Sequence, residues 1–70
     1  MTKTMRKVQV GDTLVRHSAR AGYWSGLAVG QTATVDRIEK TYGGAYVELY
    51  NAAGEMVFRG APTVRVHLAA

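Results

Sequence analysis

Apolar and polar residues alternate along most of this chain, and the alternation changes step wherever glycines interrupt it. The first run is "KVQVGDTLVRH": Val8 and Val10 alternate with polar neighbours, Gly11-Asp12 punctuates, and Leu14-Val15 resumes. It predicts a first strand. The segment "RHSARAGYWSGLAVGQ" holds three glycines and no sustained period, and reads as a long loop. In "TATVDRIEK", Ala33 and Val35 share one face before Ile38 breaks the parity. A strand absorbs such a slip with a bulge or sharp bend near Asp36-Arg37. The same window also fits a helix, because Val35, Ile38 and Tyr42 fall at i, i+3 and i+7, and Asp36 stands four residues before Lys40. Threonines and β-branched residues weigh towards strand; for residues 32–42 both readings stand.

The remainder is clearer. Gly43-Gly44 predicts a turn. "AYVELY" then sends Ala45, Val47 and Leu49 to one face and Tyr46, Glu48 and Tyr50 to the other. "NAAG", Asn51 to Gly54, has the length and the terminal glycine of a hairpin connection. "EMVFR" returns with Met56 and Phe58 inward, "GAP" breaks the chain at its one proline, and "TVRVHLA" closes it with Val64, Val66 and Leu68 inward. The predicted core is thus Val8, Val10, Leu14, Ala33, Val35, Ile38, Val47, Leu49, Met56, Phe58, Val64, Val66 and Leu68. Five short strands predict an all-β fold, and closing them into a small barrel removes the free edges that invite aggregation.

A resemblance supports that shape. "VGDTLVR" followed by "GLAVGQTATVDRI" resembles SH3-like barrels of the KOW type at Gly11, Asp12, Val15, Gly26, Leu27, Gly30 and Val35. The stretch "AVGQTA" is longer than the compact loop of that family. The chain is also similar, over residues 8 to 68, to short uncharacterised SH3-like proteins carried by phages and prophages. The resemblance implies a five-stranded SH3-like barrel and, for the KOW type, contact with nucleic acid. It also suggests a phage-borne protein acting on a host or virion protein.

Composition narrows the function. Seventy residues make one domain, with Val or Ile at ten positions and Gly at eight. So short a chain buries only about 60% of its unfolded surface, so homo-oligomerisation is one way to add buried area. With no cysteine there are neither disulfides nor thiolate metal sites, which suits a bacterial cytoplasm or the interior of an infected host cell. No apolar run reaches the ~18 residues of a membrane span, and no apolar segment follows the basic N-terminus, so neither membrane nor signal peptide is expected. The net charge of +4 is mostly local: Lys3, Arg6 and Lys7 fall in the first seven residues, and the rest holds six basic against five acidic groups. Residues 1–7 therefore read as a basic flexible tail and residues 8–70 as the barrel domain.

No catalytic set emerges. His17 and Ser18 are sequence neighbours, and Ser25, His67, Asp12 and Asp36 are scattered. Neither histidine has metal-ligand spacing, and "GGAYVE" lacks the core of a phosphate loop. A non-enzyme without cofactor or metal is expected. What remains is binding. Tyr23 and Trp24 stand together between glycines, and the pair either caps an open end of the core with Leu27 and Val29 or anchors a partner. With Tyr46 and Tyr50 they make a candidate protein-binding set. The alternative is nucleic acid, held by Lys3, Arg6, Lys7, Arg37, Lys40, Arg59 and Arg65, with bases stacked on the tyrosines.

Overall fold

Glycine turns and β-branched runs yield strands throughout the computed structural model, which describes residues 1–20 and 22–69. Ala21, within the segment read as a loop, and Ala70, the predicted end of the domain, lie outside the described residues. In chain order the strands are β1 (Thr2–Thr4), β2 (Thr13–Val15), β3 (Trp24–Ser25), β4 (Thr32–Thr34), β5 (Arg37–Thr41), β6 (Tyr46–Tyr50), β7 (Met56–Gly60) and β8 (Arg65–Leu68). Single 3-10 turns occupy Met5–Lys7 and Tyr42–Gly44, and no α-helix occurs among the described residues. No helix there is long and apolar enough to cross a membrane.

The strands form two antiparallel four-stranded sheets, the first ordered β1-β8-β2-β4 and the second β3-β7-β6-β5. The fold is all-β, but with eight short segments in place of five strands, and among the described residues the hydrogen-bonded ladders do not close. The parity slip at Asp36 explains part of the difference. Of residues 32–42, Thr32–Thr34 and Arg37–Thr41 are strand, not α-helix, and Tyr42 opens the second 3-10 turn. Val35 and Asp36 lie between the strands, where β4 of the first sheet gives way to β5 of the second.

The N-terminal segment departs from its reading as a tail. β1 pairs with β8, Thr2 opposite His67, and the Met5 N–H donates to the Val64 carbonyl at 2.8 Å. Met5 is fully buried beside Phe58, Leu14, Leu49 and Val66 in one core, with Val8, Val35, Val47 and Val57 also buried there. Each such side chain withdrawn from water contributes about 1.5–3 kcal/mol, a strong reason for a 70-residue chain to recruit its terminus. Conversely, Val10 is 63% exposed. The Asp12 N–H donates to the Gln9 carbonyl at 3.1 Å and Gly11 has φ of 98°, so the chain turns where a strand was expected.

The hairpin between β6 and β7 forms as predicted. The Asn51 carboxamide oxygen accepts from Ala53 N (3.1 Å) and Glu55 N (2.9 Å), and Gly54 takes φ of 81°. A register shift between Leu49 and Tyr50 then offsets the return strand. Val57 and Phe58 are both buried, and Met56 is only partly so.

Candidate functional site

The predicted loop of residues 16–31 is tied down at both ends and in its middle. Arg16 N–H donates to the Gln31 carbonyl (3.0 Å) and Gly30 N–H to the Arg16 carbonyl (2.8 Å), which extends the β2–β4 pairing outward. The Arg16 guanidinium donates to the Leu27 carbonyl. Ser25 is buried and its hydroxyl donates to the Val57 carbonyl at 2.8 Å, while Leu27 N–H donates back to that hydroxyl. Ser25 sits opposite Phe58, on the core side of the second sheet, so alternation turns Trp24 to the outer face, opposite Arg59.

That anchoring separates the two neighbouring aromatics. Tyr23 is half-buried and meets the Phe58 ring edge-on, with centroids 5.3 Å apart. It caps the core. Trp24 stays 50% exposed, its ring lying over Gly26, where an added Cβ would come within 3.2 Å of the indole. Of the predicted protein-binding set, the structure brings Trp24, Tyr46 and Tyr50 onto one face and turns Tyr23 away from it.

Register assembles the rest of that face. Across the sheet, Trp24 lies opposite Arg59, Arg59 opposite Glu48, and Glu48 opposite Glu39. Arg37 lies opposite Tyr50, and Thr41 opposite Tyr46. The Arg59 guanidinium sits 4.2 Å from the Tyr46 ring centre and 6.0 Å from that of Tyr42. Arg37 sits 4.2 Å over Tyr50. Both are cation–π contacts that hold the ring and the cation in place. Glu48 links the two halves, accepting from Tyr50 Oη at 3.0 Å and from Arg59 Nε at 3.0 Å. The hydrogen bond to Glu48 pushes the Tyr50 phenol up from its ordinary value, because it favours the neutral, donating form; burial and the Glu48 charge add to this.

Sequence reasoning missed Tyr42. It is 76% exposed, with φ of 52°, a left-handed conformation uncommon for a residue with a side chain. Gly43 and Gly44 continue the left-handed turn and the Tyr42 ring packs edge-on against Tyr46, centroids 5.8 Å apart. A tyrosine directly before Gly-Gly was the available signal.

The seven predicted nucleic-acid contacts do not gather. Arg37 and Arg59 share the aromatic face, each beside a carboxylate: Arg37 is 3.5 Å from Glu39 and Arg59 is 3.0 Å from Glu48. Lys40 alternates to the opposite side of β5, across from Val47. Arg65 belongs to the first sheet, where its guanidinium donates to the Thr2 hydroxyl at 3.1 Å. Lys3 forms a 2.8 Å ion pair with Asp12, whose carboxyl is held below the usual range by that hydrogen bond and then by the Gln9 N–H. Arg6 and Lys7 are exposed in the first 3-10 turn.

His17 and His67 stack face to face, 4.0 Å between centroids. Burial, and then the neighbouring His17, push His67 down from its ordinary value. No group of three or more metal-ligating side chains gathers, and no pocket opens, among the described residues. The aromatic residues therefore line an open sheet face. No family model, curated protein sequence or solved structure matches this chain.

Proposed function

We propose that this protein is a non-catalytic binding module that contacts a protein partner through the outer face of its second sheet. The observation that carries this reading is the half-exposed Trp24 beside a ladder of Arg59, Tyr46, Tyr42, Tyr50 and Arg37. Trp, Tyr and Arg are the residues that dominate binding energy at protein interfaces, because they combine large apolar area with a polar edge. Here their geometry is fixed in advance by cross-strand pairing and by Glu48, which limits the ordering cost of association.

Charge separates this partner class from nucleic acid. Arg37 and Arg59 each stand beside a carboxylate on the face, so the field that would attract phosphates is largely cancelled. We place the module among SH3-like barrels. The support is an all-β fold of two antiparallel sheets, a long pinned segment after β2, a chain that passes from one sheet to the other between β4 and β5, and a proline turn before β8.

The test is capture of partners from nuclease-treated bacterial lysate by the wild type and by Trp24→Ala, at salt from about 50 to 200 mM. The expected result is a protein retained by the wild type, lost by Trp24→Ala, and little changed by salt. A contact that vanishes with nuclease alone, or weakens about 10³-fold or more over that salt range, would assign the surface to nucleic acid instead.

A further inference from the structure

The residues Asp36 to Lys40 read acid, base, apolar, acid, base: Asp36, Arg37, Ile38, Glu39, Lys40. Read backwards against itself, that order is complementary at every charged position. It begins one residue before β5 and runs along it. β5 is the outermost strand of the second sheet, with β6 on one side and no strand on the other among the described residues. An edge strand presents unpaired N–H and C=O groups to any extended segment that matches it.

We propose that the matching segment is β5 of a second copy of this chain, paired antiparallel about a two-fold axis through Ile38. In that register Asp36 faces Lys40 of the second copy, Arg37 faces its Glu39, and Ile38 faces its Ile38. Symmetry repeats both ion pairs, giving an isologous contact. Residues opposite one another in an antiparallel pair must lie on the same face. Arg37 and Glu39 satisfy this, since both lie on the aromatic face opposite Tyr50 and Glu48. Ile38 meets its own copy on the side of Val47 and Leu49, where Lys40 also lies. Asp36, the other half of the Lys40 pair, stands one residue before β5, held beside the sheet edge by its N–H donating to the Tyr50 carbonyl at 2.8 Å.

Neighbouring registers fail. An axis through Glu39 sets Glu39 against itself and Ile38 against Lys40. An axis through Arg37 sets Arg37 against itself. An axis between residues places an outward side chain opposite an inward one. Charges on an edge strand usually discourage pairing; in this order they discourage the registers on either side and favour the one centred on Ile38. The product joins two four-stranded sheets into one continuous sheet and sets the two aromatic faces side by side. Pairing by this edge does not depend on what that face binds.

Sedimentation equilibrium of the whole chain tests it. The wild type should move with concentration from the 7.6 kDa of one chain to twice that mass. Asp36→Lys and Lys40→Asp alter exposed side chains, and each turns both copies of one ion pair into like charges. Each variant alone should dimerise about tenfold more weakly. An equimolar mixture of the two should regain the dimer, since positions 36 and 40 of the two different chains then carry opposite charges wherever they meet. A wild type that stays at single-chain mass up to about 1 mM would overturn the proposal. So would single variants that dimerise as well as the wild type, or a mixture that does no better than either alone. The wild-type mass decides the matter even if a variant fails to fold.

Discussion

Tyr23 and Trp24 are covalent neighbours with opposite duties, and the residue that divides them is Ser25. Its hydroxyl, donating to the Val57 carbonyl, fixes the alternation that sends Tyr23 to Phe58 and Trp24 outward. Tyr23 carries a cost with its position, because its hydroxyl is buried without a hydrogen-bond partner among the described residues. Tyr23→Phe removes that group and keeps the ring, so stability should rise by about 0.5–1 kcal/mol in a denaturant titration; a fall would mean the hydroxyl is satisfied after all. Asp12 gives a pH signature. Its folded carboxyl titrates below the unfolded one, so its contribution is present above about pH 4 and is lost as pH falls through the folded value. Asp12→Asn should therefore be less stable at neutral pH and lose less stability on acidification below about pH 4, measured by denaturation across a pH series. The sequence shows Asp12 as a turn residue. It does not show Lys3, nine positions earlier, arriving as its partner.

Strands were legible where alternation is strict and local. β6 could be read directly, with Val47 and Leu49 buried and Tyr46 and Tyr50 outward, and so could the Asn51–Gly54 turn. The parity slip at Asp36 marked the bend between β4 and β5. Two features escaped. The β6–β7 register shift buries Val57, a residue the simple alternation of "EMVFR" faces outward. β1 escaped because "TKT" has no apolar signature, and its pairing with β8 spans almost the whole chain. Its importance can be measured at its end. Met5 is fully buried, so Met5→Ala should cost about 2–4 kcal/mol. Val10→Ser should stay within about 0.5 kcal/mol, since Val10 faces water. Equal costs at the two positions would restore the reading of residues 1–7 as a tail.

At the level of the whole protein, the basic residues kept nucleic acid as the alternative partner, while their spatial arrangement does not gather them into one field. The charge of +4 is real, but the basic groups are divided between two sheets and several are matched by carboxylates. No local pattern could have shown this, because it depends on which strands become neighbours. The aromatic face was half legible: Tyr46 and Tyr50 by alternation, Trp24 as one of two alternatives, Tyr42 not at all. The molecule then works by division of labour, with Met5, Phe58 and Tyr23 holding the sheets together and Trp24 left free at the surface. Thermal melting of Trp24→Ala beside Tyr23→Ala puts this to the test without any partner. Trp24→Ala should cost about 1 kcal/mol or less and shift the midpoint by no more than about 5 °C, while Tyr23→Ala should cost about 2–4 kcal/mol. A Trp24→Ala protein that melts as early as Tyr23→Ala would place the indole in the core and remove the surface on which the proposed function rests.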